Sequence, residues 1–207
     1  MTTLSALKGK GFVVIGADSQ VTAGNLKYPF PYSKIQILGS NLISGSGSVG
    51  YLQRLLAIAL RDIRINRVAL DNLNLEPEFE ELCKHLAELN FSLPLEHKHF
   101  NPFSFLIAGL KEGEAGLCSI GSDGSIIYIP SFFCEGSGSD FAISTLSKKY
   151  KPDISMTEAV NLCLESLSQA TKHDCYTNNS PQVFALYLEK NKWKIQEYKK
   201  EIQEEIK

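Results

Sequence analysis

The stretch that decides the fold lies near the beginning of the chain and reads Thr3-Leu4-Ser5-Ala6-Leu7-Lys8-Gly9-Lys10-Gly11-Phe12-Val13-Val14-Ile15-Gly16-Ala17-Asp18. Short apolar and β-branched runs at residues 3–7 and 12–18 flank a turn that contains two glycines. A strand, a glycine-containing turn and a second strand are typical of a β-hairpin. The stretch around Thr3 is therefore predicted to be a strand paired with the segment that follows it.

A second hairpin is predicted beyond a loop at residues 19–33, which is rich in Gly, Asn, Pro and Tyr. Its strands are residues 34–38 and 41–44, joined by a Gly-Ser turn. From Ser48 the period changes, because apolar residues recur at helical spacing as far as Ile63. Another helix is predicted to begin near Pro77, where a run of glutamates suits the positive end of a helix dipole. Two helices therefore follow four strands.

The second half of the chain has the same order. Strands are predicted as a meander at residues 105–110, 116–119, 126–129 and 132–134, helices at 138–150 and 155–172, and a closing hairpin at 182–188 and 193–195. This order favours an α+β fold, a four-layer αββα sandwich of two antiparallel sheets flanked by helices. We expect one domain over residues 1–207, with a charged tail from about residue 197 that is a solvated helix or a frayed end.

Composition excludes several classes of partner. The formal net charge of −2 gives no basic surface for nucleic acid, and no run of eighteen or more apolar residues is present to span a membrane. Lys8 and Lys10 interrupt the first apolar run, so we expect no secretory signal and a cytoplasmic protein.

The cysteines and histidines do not indicate a metal or a cofactor. The five cysteines are scattered without a Cys-x-x-Cys pair and are expected to be reduced, with Cys83 and Cys163 on the apolar faces of helices. His97 and His99 form the only metal-like pair, and no third ligand stands near them in the sequence.

Thr2 is the candidate nucleophile. If Met1 is removed, Thr2 carries a hydroxyl nucleophile and an α-amine base in one residue. Because a single residue precedes Thr2, we expect activation by excision of Met1 and not by self-cleavage of a longer propeptide. Taken alone, Met-Thr-Thr is also compatible with an ordinary start of a chain.

Six short motifs give Thr2 its context. They are Thr2-Thr3-Leu4, residues 14–19 with residues 22–25, Ser33-Lys34-Ile35, residues 46–50, residues 136–139, and Asp174-Cys175-Tyr176-Thr177. In this order and at these separations they resemble the proteasome β-subunits and the related HslV-type peptidase of bacteria, members of the N-terminal-nucleophile hydrolases. The resemblance covers nearly the whole chain. It implies the four-layer sandwich and a threonine endopeptidase that degrades unfolded polypeptides inside a homo-oligomeric ring.

The resemblance also assigns roles to residues. It implies that Thr2 is the nucleophile and Gly47 the oxyanion donor, and that the other catalytic positions are Asp18 and Lys34 as a buried ion pair, Ser137 and Asp174 beside the N-terminus, and Thr177 where serine is usual. The matching substrate-binding positions are Val21, Thr22, Tyr32, Gly45, Val49 and Gln53. None of these six is charged, which predicts a preference for neutral apolar side chains.

Departures from the family pattern leave alternatives open. Tyr51 stands where an acid is common, and Asn178-Asn179 replaces a common glycine pair. One alternative is a non-catalytic ring subunit of the same fold, and another is an amidase acting on a small molecule. The sequence does not identify an ATPase unfoldase or a gating ring as a partner.

Overall fold

The computed structural model describes residues 2–23, 25–38, 40–47, 53, 57, 103–111, 114–121 and 125–198. In chain order, its strands are β1 (Thr3–Gly9), β2 (Phe12–Ala17), β3 (Thr22–Ala23), β4 (Leu26–Lys27), β5 (Ile35–Leu38), β6 (Asn41–Ser46), β7 (Ser104–Lys111), β8 (Glu114–Gly121), β9 (Ile126–Tyr128), β10 (Phe132–Gly136), β11 (Gln182–Glu189) and β12 (Lys192–Tyr198). The helices with defined bounds are α1 (Ser139–Lys149) and α2 (Met156–His173).

The first sheet has the strand order β10-β1-β2-β11-β12, and its pairs are antiparallel. The predicted hairpin of β1 and β2 is confirmed, with Leu4 opposite Ala17 and Gly9 opposite Phe12. These two strands are buried on both faces, since the second sheet covers one face and helices cover the other. Burial on both faces explains why their sequences are apolar throughout and do not alternate.

The second sheet has the order β5-β6-β7-β8-β9. It confirms the predicted hairpin of β5 and β6, but the prediction that β10 continues the meander is wrong. β10 crosses to the first sheet and pairs with β1, placing Thr3 opposite Gly136. Pro130 follows β9 and has no N–H to extend the ladder, and the next residue, Ser131, accepts a hydrogen bond of 2.6 Å from the N–H of Lys8.

Two hydrophobic cores hold the layers together. The core between the sheets includes Leu4, Ile15 and Leu106, and the core between the first sheet and the helices includes Leu146 and Leu167. The chain thus has the predicted α+β sandwich fold, with α1 and α2 on the outer side of the first sheet. The helices predicted from Ser48 and Pro77 lie outside the described residues, except that Gln53 and Ala57 have helical backbone.

Helix α2 begins with a capping box, in which Ser155 and Glu158 bind each other's backbone N–H groups. It ends at Asp174, whose own N–H still donates to the carbonyl of Ala170 at 2.9 Å. The buried face of α2, which includes Cys163 and Leu167, packs on the first sheet and brings Asp174 to the end of that sheet where β1 begins. No helix among the described residues is long and apolar enough to cross a membrane.

Two further predictions are corrected. The loop predicted at residues 19–33 contains the short hairpin of β3 and β4. The tail predicted to leave the fold from about residue 197 begins later, because Glu197 and Tyr198 pair with β11, and residues 199–207 lie outside the described part. β12 is an edge strand and exposes much of its surface, so its sequence is polar. The full length of its pairing was therefore not predicted.

Candidate active site

Thr2 immediately precedes β1 and lies against the end of β10. Its carbonyl oxygen accepts a hydrogen bond of 2.8 Å from the N–H of Ser137, and the residue is only 5% exposed. Gly136 makes this approach possible. It has a φ of 90°, and a Cβ there would lie 1.8 Å from the Thr2 carbonyl oxygen. The end of β10 therefore brings Ser137 directly beside Thr2.

Asp18 and Lys34 form an ion pair next to Thr2. Asp18 follows β2 and Lys34 precedes β5, and Nζ lies 2.8 Å from Oδ1. The same Oδ1 accepts the N–H of Thr3 at 2.8 Å, and Oδ2 accepts the N–H of Gln20 at 2.8 Å. The Lys34 ammonium is thus one carboxylate oxygen away from the Thr2–Thr3 peptide bond. Both charged residues are buried, so the pair is not a surface pair.

Burial lowers the pKa of Lys34 below its ordinary value of 10.5, and the negative charges of Asp18 and Asp174 only partly oppose this effect. The hydrogen bond to Asp18 also favours the charged form. Without Asp18, the ammonium would lack its direct counter-charge inside the protein. The pair therefore places a compensated positive charge beside the beginning of β1.

Asp174 organises the other side of the site. Its Oδ2 accepts hydrogen bonds from the hydroxyls of Thr177 at 2.6 Å and Ser137 at 2.7 Å, and Oδ1 accepts the N–H of Tyr176 at 3.1 Å. Burial would raise the pKa of Asp174, but these hydrogen bonds outweigh it and hold the pKa below the ordinary value of 3.8. Asp174 is therefore an anion at neutral pH.

Thr3 joins the two sides. Its N–H binds Asp18, and its Oγ1 lies 2.5 Å from Oγ1 of Thr177. Because Thr177 gives its hydroxyl proton to Asp174, the hydroxyl of Thr3 is the donor in this contact. Thr3 belongs to the first of the six sequence motifs, but no role was predicted for it. Nothing in the sequence shows which side of β1 faces Thr177.

Gly47 lies immediately after β6. The pairing of β6 with β7 ends at Ser46, opposite Ser104, and Gly47 turns away with a φ of 96°. This backbone conformation favours glycine. Gly47 is exposed, so its backbone is open to an approaching ligand.

The predicted substrate-binding residues are only partly described. Val21, Thr22, Tyr32 and Gly45 are half-buried, and Gln53 is exposed. Val49 and Tyr51 lie outside the described residues. The segment from Val21 to Tyr32 folds back on itself, because the N–H of Tyr32 donates to the carbonyl of Ser19 at 2.9 Å.

Three of the four described cysteines are buried, and the fourth, Cys175, is exposed in the loop that follows Asp174. The buried ones are Cys118, Cys134 and Cys163, and burial raises the pKa of both Cys134 and Cys163 to about 12. No group of three His, Cys, Asp or Glu that could hold a metal occurs in the described ranges. Cys83, His85, His97 and His99 fall outside them.

Comparison with known proteins gives one family. The proteasome subunit family matches residues 1–186. A proteasome subunit beta of Nanoarchaeum equitans is 29% identical over 188 residues, covering 90% of this chain and 93% of that protein. A proteasome subunit beta 1 of Thermococcus onnurineus is 30% identical and covers 86% and 84% of the two chains, and a proteasome subunit beta 2 of Pyrococcus furiosus is 26% identical and covers 86% and 83%. With this extent of match, the chain belongs to the proteasome subunit family.

Proposed function

We propose that this chain is a threonine endopeptidase whose nucleophile is Thr2 after removal of Met1. The observation that carries the proposal is the fixation of Thr2 on both sides. Ser137 holds its carbonyl, and the N–H of the following peptide bond is anchored to the Asp18–Lys34 pair. A reaction centre held in this way can keep a short-range attack geometry.

The reaction begins with the free α-amine of Thr2. Its reference pKa is about 7.7–8.0, and the nearby Lys34 cation lowers it, so the neutral amine can act as a base. The amine takes the proton of the Thr2 hydroxyl while Oγ1 attacks the carbonyl carbon of the substrate peptide. The β-branched side chain restricts χ1 and keeps the hydroxyl near the direction of attack.

The tetrahedral intermediate carries a negative oxygen, which the N–H of Gly47 stabilises. One such donor commonly contributes about 3–4 kcal/mol. When the intermediate collapses, the protonated amine of Thr2 gives its proton to the leaving amine and an ester remains on Oγ1. Water, deprotonated by the same amine, then hydrolyses the ester and restores the hydroxyl.

Asp174 and Ser137 stabilise the protonated form of the Thr2 α-amine. The carboxylate of Asp174 is held by Thr177 and Ser137, so it is a fixed negative charge beside Thr2. It stabilises the amine in its protonated state, between the first proton transfer and release of the leaving group. Lys34 and Asp174 thus act on the amine with opposite signs, and together they set its pKa near the working pH.

We propose that the substrates are unfolded polypeptides, cut inside a ring made of copies of this chain. Apolar side chains support contact between copies, since Leu26 is 61% exposed and Phe30 56%. Tyr28 packs edge-on against Phe30, with ring centroids 5.5 Å apart. Thiols outside disulfides, such as those of Cys134 and Cys163, suit a cytoplasmic location. An ATPase unfoldase or a gating ring is a candidate partner of such a ring.

We propose that the side chain before the cut enters a pocket lined by Val21, Tyr32, Gly45, Val49 and Gln53. These uncharged groups favour a neutral apolar side chain, because an acidic one would be desolvated without a partner. A peptide library should give cleavage mainly after apolar residues. A profile dominated by Asp or Glu before the cut contradicts this pocket.

The decisive experiment compares the unaltered chain with Thr2→Ala. Active protein should have an intact mass that lacks Met1, cleave fluorogenic peptides and become labelled by an epoxyketone, which needs both hydroxyl and amine. Thr2→Ala should fold but lose cleavage and labelling. Thr157→Ala removes an exposed hydroxyl at the start of α2 and is the matched control.

The alternatives give different results in the same assay. A non-catalytic ring subunit would neither cleave peptides nor react with the epoxyketone. A small-molecule amidase would be labelled at Thr2 and hydrolyse small amides, but leave polypeptides intact. Full activity in protein whose mass still includes Met1 would overturn the mechanism.

A further inference from the structure

Three amide side chains form hydrogen bonds around the Asp18–Lys34 pair, and two of them, Asn178 and Gln20, join its backbone to the loop that follows Asp174. Asn178 is the most extensively bonded of them, and its Oδ1 accepts the N–H of Ser19 at 3.1 Å and the N–H of Ser180 at 3.3 Å. Its Nδ2 donates to Oγ of Ser19 at 3.1 Å. Ser19 is 1% exposed and follows Asp18 directly. Asn178 therefore ties the loop after Asp174 to the turn that carries Asp18.

Each of the other two amides, Gln20 and Gln182, makes one hydrogen bond to the backbone near the site. Nε2 of Gln20 donates to the carbonyl of Cys175 at 3.1 Å, inside the loop that follows Asp174. Oε1 of Gln182, the first residue of β11, accepts the N–H of Lys34 at 3.2 Å. We call Gln20, Asn178 and Gln182 the amide clamp.

Ser19 connects Asn178 to the backbone that precedes Lys34. Its N–H is held by Asn178, while its carbonyl accepts the N–H of Tyr32 at 2.9 Å, two residues before Lys34. The backbone around the ammonium is thus fixed on one side by Ser19 and on the other by Gln182. A shift of the Asp174 loop would move Asn178 and with it Ser19, whereas Gln182 is held in place by the pairing of β11 with β2.

We propose that the amide clamp is a positioning device that keeps Asp174 and the Asp18–Lys34 pair in register around Thr2. Asn178 is its central member and a positioning residue, since it acts through Ser19. This inference rests on the proposed function, because the register acts on the proton transfers of Thr2.

The test uses the full chain with Asn178→Ala, Asn178→Asp and, as a matched control, Asn161→Ala. Asn161 is exposed on α2, roughly 20 Å along the helix from Asp174. We expect Asn178→Ala to lower kcat on a fluorogenic peptide by about 10- to 100-fold, because small displacements of reacting groups have effects of this size. KM should change less than kcat, since Asn178 does not itself line the specificity pocket and reaches Tyr32 only through Ser19.

Recovery by the conservative variant separates positioning from simple stability. Asn178→Asp keeps an oxygen that accepts the N–H of Ser19, so it should recover most of the lost kcat, and Asn161→Ala should behave as the unaltered chain. The proposal is overturned if Asn178→Ala retains its kcat. It is also overturned if kcat and melting temperature fall together and Asn178→Asp recovers neither.

A second measurement does not depend on activity. Hydrogen exchange of the Ser19 amide should be faster in Asn178→Ala than in the unaltered chain, and unchanged in Asn161→Ala. If the unaltered chain neither cleaves peptides nor reacts with an epoxyketone, the proposed function fails. The exchange rate then still decides whether Asn178 holds Ser19, and an unchanged rate overturns the clamp.

Discussion

Lys34 and Asp18 meet at 2.8 Å in a place where their side chains are 6% and 0% exposed. Breaking a buried pair by removing one partner leaves an uncompensated charge and typically costs ~3–5 kcal/mol. We therefore predict that Lys34→Ala loses turnover, because the cation that lowers the amine pKa is gone, and that it loses free energy of unfolding in this range. Peptidase assays and urea denaturation measure the two effects.

The surface pair of Lys194 and Glu189 provides the matched control. Both side chains are about half exposed, and exposed ion pairs contribute little to stability because water and salt screen their charges. Lys194→Ala should therefore leave both activity and unfolding nearly unchanged. Lys34→Ala with unaltered rates would mean that the base is tuned by another group.

The second prediction concerns Gly136. A Cβ at this position would lie 1.8 Å from the Thr2 carbonyl oxygen, so Gly136→Ala must displace either Thr2 or the end of β10. We expect a large loss of activity together with lower stability. Gly11→Ala is the control, because Gly11 also has a positive φ, of 77°, but no atom lies within 4 Å of the added Cβ.

The comparison separates collision from backbone strain. Gly11→Ala should cost about 1–2 kcal/mol from the left-handed conformation alone and keep full activity. If Gly136→Ala behaves like Gly11→Ala in both assays, the close contact between Gly136 and Thr2 does not control the site. Circular dichroism and urea denaturation establish that each variant is folded before its activity is compared.

The fold was predictable where local signals agreed with the global arrangement. The turn at Lys8-Gly9-Lys10-Gly11 and the apolar runs around it predicted the β1–β2 hairpin, which the structure confirms. The partner of β10 was not predictable in the same way. Strand signals fix which residues are extended, but not which sheet they join, and the crossing depends on the long-range pairing of β10 with β1.

The candidate site, like the fold, was predictable only in part. The resemblance named Asp18, Lys34 and Asp174, and the structure places all three around Thr2 and Thr3. The contact of Thr3 with Thr177 and the contact of Asn178 with Ser19 were missed, because they join residues that are 174 and 159 positions apart in the sequence. A signal for Asn178 was the Asn178-Asn179 pair, which departs from the glycine pair that the family resemblance implies.

The third prediction is a pH dependence carried by Asp174. Its pKa is held below 3.8 in the folded protein, so the unfolded chain binds the proton more readily. The stability that Asp174 contributes is therefore complete above pH 3.8 and is lost as the pH falls through the folded pKa. Urea midpoints of the unaltered chain and Asp174→Asn should differ most near neutral pH and converge in acid. A constant difference down to about pH 3 would contradict the assignment.

The last prediction concerns Glu135, whose pKa is raised in the folded protein, whereas that of Asp174 is lowered. Glu135 lies opposite Leu4 in the β1–β10 ladder, and Leu4 belongs to the core between the sheets, so both side chains are on that face. Burial raises the pKa of Glu135 above 4.5, although the hydroxyl of Ser104 and the N–H of Gly136 partly oppose it. The folded protein therefore holds the proton more tightly than the unfolded chain.

The stability associated with this carboxyl group is present below pH 4.5 and is lost as the pH rises through the folded pKa. Glu135→Gln keeps the shape and an oxygen that can accept from Ser104, but it carries no charge to bury. The variant should therefore unfold at a higher urea concentration than the unaltered chain at neutral pH, and the advantage should vanish in acid. Glu114→Gln, which changes an exposed carboxylate at the start of β8, should show no such gain. A Glu135→Gln protein that is less stable at neutral pH would mean that the ionised carboxylate is held by contacts stronger than its burial.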